Sequence, residues 1–244
     1  RSNLEERLRA VLGQVRTRRH IVVRNFHGFA TQIVLAHGRT IGLQMDGLQL
    51  PKTSTLRKAM IEADGDGPVM YEAERMLSEV KRYPLSDAEV LSSLQQQCPG
   101  KVRELAEKVE RARQKSNQLH YDDLLRHAQR LLHIPAVARL YQVHFGAVLV
   151  DEFQDLSLQQ LDLARLSCAS RQTFVGDPLQ GIYSWAGAAP SEVKAEILKA
   201  SGQPIRLHES YRSSPKVLET VNSISEQVDP GSTLVSAQPE CWPD

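Results

Sequence analysis

Apolar residues recur along most of this chain at the three-and-four spacing of amphipathic helices. Leu4, Leu8, Val11, Leu12 and Val15 form the first stripe, predicting an opening helix that stops near residues 13–16. Residues 20–25 carry the β-branched run Ile21-Val22-Val23 and read as a short buried strand. Residues 26–37 then read as a helix ended by Gly38. The stretch 40–100 is the least regular, with Gly42, Gly47, Pro51, an Asp-Gly-Asp-Gly-Pro run at 64–68, Pro84 and Pro99, and reads as short helices and turns inserted into something else. Val102, Leu105, Ala106, Val109 and Ala112 restore a helix, and Leu124, Leu125, Ala128, Leu131 and Leu132 make another. Residues 146–150 are wholly apolar and predict a strand ending at Asp151. Ser157 with Gln160 three positions later signals a capped helix through Leu166. A second apolar strand over 173–175 ends at Gly176-Asp177. Ser214-Pro215 opens a last helix, whose expected buried stripe is Val217, Leu218, Val221 and Ile224.

Strands without alternation, separated by helices, predict a parallel sheet covered on both faces, an α/β fold. Ligands in such folds sit beyond the carboxyl ends of the strands. Two strand ends here carry acids, Asp151-Glu152 and Asp177, so chemistry is expected along that edge. With 244 residues and 41% hydrophobic positions the chain is globular, which excludes a disordered, collagenous or disulfide-scaffold protein. Cys98, Cys168 and Cys241 are far apart and form no Cys-x-x-Cys pair, which suits a reducing compartment. The longest apolar stretch is too short to cross a bilayer, and the opening Arg1-Ser2-Asn3-Leu4 has no signal-peptide pattern. A cytoplasmic protein with no membrane partner is expected, and the missing initiator Met suggests a processed chain or an excised piece. His120, His127, His133 and His144 are scattered without metal-ligand spacing, so no structural metal is expected.

The net charge is only +1, but it is unevenly spread. Residues 1–25 carry seven arginines against Glu5 and Glu6, whereas residues 60–90 carry eight acids against Arg75, Lys81 and Arg82. Separate basic and acidic surfaces are one reading, and ordinary solvated faces are the other.

Three stretches carry chemistry. In Val148-Leu-Val-Asp-Glu-Phe-Gln-Asp155 an apolar strand delivers adjacent carboxylates, which suits one acid holding Mg²⁺ and another acting on water in phosphoryl transfer. The alternative is electrostatic capping of a helix. Phe174 to Ala188 follows a strand with Gly176-Asp177, then Gln180, then Tyr183 and Trp185 two residues apart, which is suited to stacking on nucleic-acid bases or, alternatively, to a core. Leu207 to Ser214 places Tyr211 and Arg212 before a capped helix, where they could meet a nucleotide base and a phosphate or form a surface ion pair.

Taken in order, Phe26-His27-Gly28, Val-Asp-Glu-Phe-Gln-Asp at 150–155, Gly-Asp-Pro-Leu-Gln-Gly-Ile-Tyr-Ser-Trp at 176–185 and Ser-Tyr-Arg-Ser at 210–213 resemble UvrD/Rep-type superfamily 1 helicases. Tyr121-Asp-Asp-Leu-Leu125 is similar to the segment preceding the acidic motif in that family. The resemblance implies a RecA-like parallel sheet forming part of a first motor domain over 1–41 and 116–205. It further implies a mainly helical inserted subdomain over 42–115 and the start of a second RecA-like domain over 206–244. It implies ATP and Mg²⁺ as cofactors and single-stranded DNA as partner, with 3′ to 5′ movement driven by ATP hydrolysis. Position by position, Asp151 would hold Mg²⁺, Glu152 would polarise the attacking water and Gln180 would sense the γ-phosphate. Tyr211 would stack on the adenine and Arg212 would act as an arginine finger. Phe26, His27, Tyr183 and Trp185 would contact DNA.

The departures are Ala186-Gly187-Ala188 where the family commonly has Arg-Gly-Ala, and Ser210 where Asn is common. No Gly-x-x-x-x-Gly-Lys-Ser/Thr phosphate loop is present; the sole Gly-Lys pair is Gly100-Lys101, followed by Val102. The expectation is an internal portion of a helicase, inactive alone. The alternative is a catalytically incomplete module that binds single-stranded nucleic acid or a protein. The architecture serves repair, recombination, replication and phage defence alike.

Overall fold

The computed structural model describes residues 2–13, 21–52, 55–63, 66–98, 100–183, 187–201, 204–228 and 231–242. They fall into two compact units, the first formed by residues 1–148 with 159–172 and the second by residues 149–158 with 173–244.

The first unit is helical. After α1 (Ser2–Leu12) come α2 (Phe26–His37), α3 (Thr55–Glu62), α4 (Gly67–Val80), α5 (Asp87–Gln97), α6 (Gly100–Lys115), α7 (Tyr121–Leu132) and α8 (Pro135–His144). Helix α9 (Leu158–Ser167) follows the acidic motif and returns to this unit. Helix α2 begins where predicted because the Asn25 side chain accepts from the Gly28 N–H at 2.8 Å. Its apolar face, Ala30, Ile33 and Val34, packs on Leu124, Leu125, Ala128, Leu131 and Leu132 of α7, joined by Val137 and Leu163. Full burial of each such Leu or Ile stabilises by about 1.5–3 kcal/mol. A second core belongs to α3–α6 and is built from Met60, Ala73, Leu77, Val80, Val90, Leu94, Leu105 and Val109 with their neighbours. Ser86 and Glu89 form the capping box that starts α5, with bonds of 3.3 and 2.7 Å.

Charged side chains join α7 to the α3–α6 cluster. The Lys81 ammonium, 1% exposed, lies 2.7 Å from Glu110 Oε2 and 3.0 Å from Asp123 Oδ2. Arg126 reaches Asp123 at 2.7 Å and Asp87 at 2.6 Å, while Arg113 reaches Glu110 at 2.6 Å and Asp87 at 2.9 Å. Asp123 Oδ2 also accepts the His120 N–H at 2.9 Å. Ser78 adds a bond from α4 to Asp122 at 2.7 Å.

The second unit holds most of the sheet structure. Strands β1 (Val148–Val150) and β2 (Gln172–Phe174) pair and continue past their ends, with Val175 N–H on Val150 O at 2.8 Å and Phe153 N–H on Val175 O at 3.0 Å. Helix α10 (Pro190–Ser201) inserts the fully buried Val193, and Ala189 N–H bonds Leu156 O at 3.0 Å. Strands β3 (Glu209–Ser210) and β4 (Val235–Ser236) pair in parallel, Glu209 opposite Val235. Between them runs α11 (Pro215–Val228), whose Asn222 exchanges two 2.8 Å hydrogen bonds with the backbone of Leu234.

Three expectations are corrected. Residues 21–25 form no strand; Val22 is exposed, and the run leads straight into the Asn25 cap. The sheet covered on both faces does not form among the described residues. Each sheet has two strands of two or three residues, so Val150 is buried while Leu149 stays 76% exposed. On α11 only Leu218 of the expected stripe is buried, because the helix is held on its Asn222 side; Val217, Val221 and Ile224 face solvent. Val15 and His20 lie outside the described residues.

Candidate functional site

The acidic motif begins where β1 ends. Asp151 and Glu152 are both exposed, and the Asp151 carboxylate accepts the Glu152 N–H at 3.1 Å. Glu152 adopts left-handed backbone angles, φ +55° and ψ +47°. A non-glycine residue held there costs on the order of 1–3 kcal/mol and persists only where its surroundings enforce it. Here the enforcement is a single 3₁₀ turn over Phe153–Asp155, closed by Asp155 N–H on Glu152 O at 3.0 Å.

Gln154 sits inside that turn and is 2% exposed. Its amide donates to Glu152 Oε2 at 2.7 Å and accepts the Asp177 N–H at 3.1 Å. The approach requires glycine at 176: a Cβ there would collide with Gln154 Oε1 and stand 2.8 Å from Phe153 Cδ1. Asp177 then caps the turn Pro178–Gln180, accepting the Leu179 N–H at 3.0 Å and the Gln180 side-chain amide at 2.8 Å. Three of the predicted residues, Asp151, Glu152 and Gln180, are thereby gathered around adjacent strand tips. The sequence reading missed Gln154. The signal was there, a polar side chain between two acids opposite Gly176-Asp177, but its meaning depends on the tips lying side by side.

The carboxylates of Asp151 and Glu152 are hard oxygen donors open to solvent, so the donor set fits a Mg²⁺-bound nucleotide phosphate. Tyr211 and Arg212 lie exposed between β3 and α11, where the Tyr211 hydroxyl donates to Glu209 at 3.3 Å. Among the described residues, no hydrogen bond or ion pair joins either of them to Asp151, Glu152 or Gln180. Tyr183 is 44% exposed in the second unit, whereas Trp185 lies outside the described residues.

Phe26 and His27 stand at the first turn of α2, in the first unit. Phe26 packs against the α2–α7 core. His27 is half-buried, with its ring edge-on to Tyr121 at 5.5 Å between centroids. Burial lowers its pKa, with Asp122 acting in the opposite direction. Gly28 has a local reason: a Cβ there would lie 2.7 Å from Asn25 Oδ1, spoiling the cap.

Glu110, His120 and Asp123 bring three potential metal-ligand atoms within 4.8 Å of one another. The Lys81 ammonium already fills the cation's place between both carboxylates, at 2.7 and 3.0 Å. The group therefore acts as an ion-pair core.

Comparison with known proteins places these elements in a context. The family described as UvrD/REP helicase N-terminal domain matches residues 2–199. The chain is 30% identical over 217 residues to the exonuclease/helicase protein RexA of Streptococcus pneumoniae, covering 82% of this chain and 17% of the relative. It is 28% identical over 224 residues to DNA helicase II of Salmonella typhimurium, covering 84% and 29% respectively. Over 113 residues it is 37% identical to the ATP-dependent DNA helicase Rep of Escherichia coli, covering 43% and 16%. The chain thus spans less than a third of the length of these relatives. No helix among the described residues is long and apolar enough to cross a membrane.

Proposed function

The chain belongs to the UvrD/REP helicase family, and from that premise we propose that it is the portion of an ATP-dependent DNA helicase that couples ATP hydrolysis to 3′ to 5′ movement along single-stranded DNA. The observation that carries this reading is the hydrogen-bonded run from Glu152 through Gln154 and Asp177 to Gln180, beside the exposed Asp151. Asp151 holds Mg²⁺ in this reading. When bound, Mg²⁺-ATP supplies the phosphoryl group that water attacks. Glu152 orients that water and takes its proton, a role worth typically 10²–10⁴-fold in rate. Gln180 meets the γ-phosphate with its amide, Tyr211 stacks on the base, and the Arg212 guanidinium offsets charge on the phosphoryl oxygens. Phe26, His27, Tyr183 and Trp185 contact single-stranded bases.

The same reading assigns 1–41 and 116–205 to a RecA-like first motor domain, 42–115 to an inserted helical subdomain and 206–244 to the start of a second RecA-like domain. What supports the insertion is that α3–α6 enclose a hydrophobic core separate from that of α2 and α7. A cytoplasmic site of action belongs to this reading.

The test is Mg²⁺-ATP turnover with and without single-stranded DNA, by this chain alone and by a longer helicase that contains it, each in native and Glu152→Gln forms. The chain alone, which carries no phosphate loop, is expected to show no turnover. The longer protein is expected to show DNA-stimulated turnover that falls at least 100-fold in Glu152→Gln, with DNA affinity unchanged. Turnover retained in the variant removes Glu152 from its role. A longer protein that binds single-stranded DNA without turnover makes this chain part of a binding module instead.

A further inference from the structure

We propose that Gln154 is a positioning residue that ties the Glu152 carboxylate to the strand tip bearing Asp177 and Gln180, so that one buried amide transmits a change at either site to the other. The roles given to Glu152 and Gln180 rest on the function proposed above; the linkage itself is read without nucleotide.

Three observations carry the proposal. First, the amide of Gln154 is used at both ends by partners of opposite polarity, donating to Glu152 Oε2 at 2.7 Å and accepting the Asp177 N–H at 3.1 Å. Flipping the amide would set an NH₂ against an N–H and an oxygen against a carboxylate, so only one orientation is satisfied. Second, the surroundings are shaped around that side chain. Gln154 is 2% exposed, and residue 176 must lack a Cβ to admit it. Third, Glu152 is held at φ +55° directly beside the link, a conformation that depends on its neighbours. A side chain needed only to fill space would not require two polar partners on two different strand tips. Asp177 carries the connection onward, because the same residue that gives its N–H to Gln154 accepts the Gln180 amide at 2.8 Å.

The experiment is ¹⁵N nuclear magnetic resonance of the nucleotide-free chain. Glu152→Ala is expected to displace the Asp177 backbone amide and the Gln180 side-chain amide, although neither touches Glu152. In a Gln154→Met background, which keeps side-chain length and volume but removes the amide, the same Glu152→Ala change is expected to displace neither. A space-filling role predicts that methionine preserves the response. Should Gln154→Met not fold, Gln154→Leu, which also lacks the amide and leaves residues 152 and 177 unchanged, is expected to abolish the response equally. An Asp177 and Gln180 signal that ignores Glu152→Ala in the native background overturns the proposal, as does one that responds equally without Gln154. The catalytic reading fails separately, by turnover surviving Glu152→Gln.

Discussion

Fully enclosed charges set the strongest single-residue constraints. Lys81 keeps its ammonium between two carboxylates, and Asp123 is shared among Lys81, Arg113 and Arg126. Taking such ions out of water costs several kcal/mol each, which their mutual attraction offsets only while every partner is present. Replacing Lys81 by Met removes one cation and leaves Glu110 and Asp123 facing each other with fewer positive neighbours. We expect Lys81→Met to destabilise by about 3–5 kcal/mol in urea denaturation; a loss below about 1 kcal/mol would show that the lysine is not held as an ion pair. None of this was legible in the sequence, where Lys81 read as one of few bases in an acidic stretch. Its partner Asp123 lies 42 residues away, and only folding brings them together. The position of Asp151 and Glu152 was legible because they follow directly on the apolar run that forms β1.

Elements were legible wherever a cap and an apolar stripe agreed. Helix α2 starts at the Asn25 cap and ends at Gly38, as its sequence dictates. Removing the cap with Asn25→Ala orphans the Gly28 N–H at the turn carrying Phe26 and His27. It is expected to cost about 1 kcal/mol, measured as a lowered urea midpoint at unchanged slope. No shift would mean that packing of Ala30, Ile33 and Val34 alone fixes the start. Elements misread from sequence failed for one physical reason. An apolar run states that a residue is able to bury, but not that a neighbour is present to cover it. Ile21-Val22-Val23 has the composition of a strand without a ladder, and Val217, Val221 and Ile224 have the spacing of a buried stripe without cover. The Gly and Pro punctuation of 40–100 concealed the length of α4, because Pro68 sits at its first turn, where proline starts a helix instead of breaking it.

For the molecule as a whole, the net charge of +1 conceals groups whose protonation differs sharply between folded and unfolded chain. His127 is fully buried; burial and then Arg126, 3.2 Å away, push its pKa down to about 3, against the opposing pull of Asp123 and Asp87. Arg130 stands 3.3 Å from its other nitrogen. His120 is pushed down to about 4 by burial and Lys81, with Asp123 and Glu110 opposing, and neither ring nitrogen has a hydrogen-bond partner. Both values lie below the ordinary 6.5, so on acidification the unfolded chain takes up protons first. This stabilisation is therefore complete above about pH 6.5 and is lost as pH falls towards 4 and then 3. The slope approaches about 1.4 kcal/mol per pH unit for each histidine. Burial would raise Asp87, but Arg113 and Arg126 outweigh it and hold the carboxyl down to about 2, so a further loss follows below the usual carboxylate range. We therefore expect the urea midpoint to fall from about pH 7.5 to about pH 5.0, with His120→Gln combined with His127→Gln flattening the decline in that window. An equal midpoint at both values would mean that the histidines ionise freely, and that the ion-pair core is open to water.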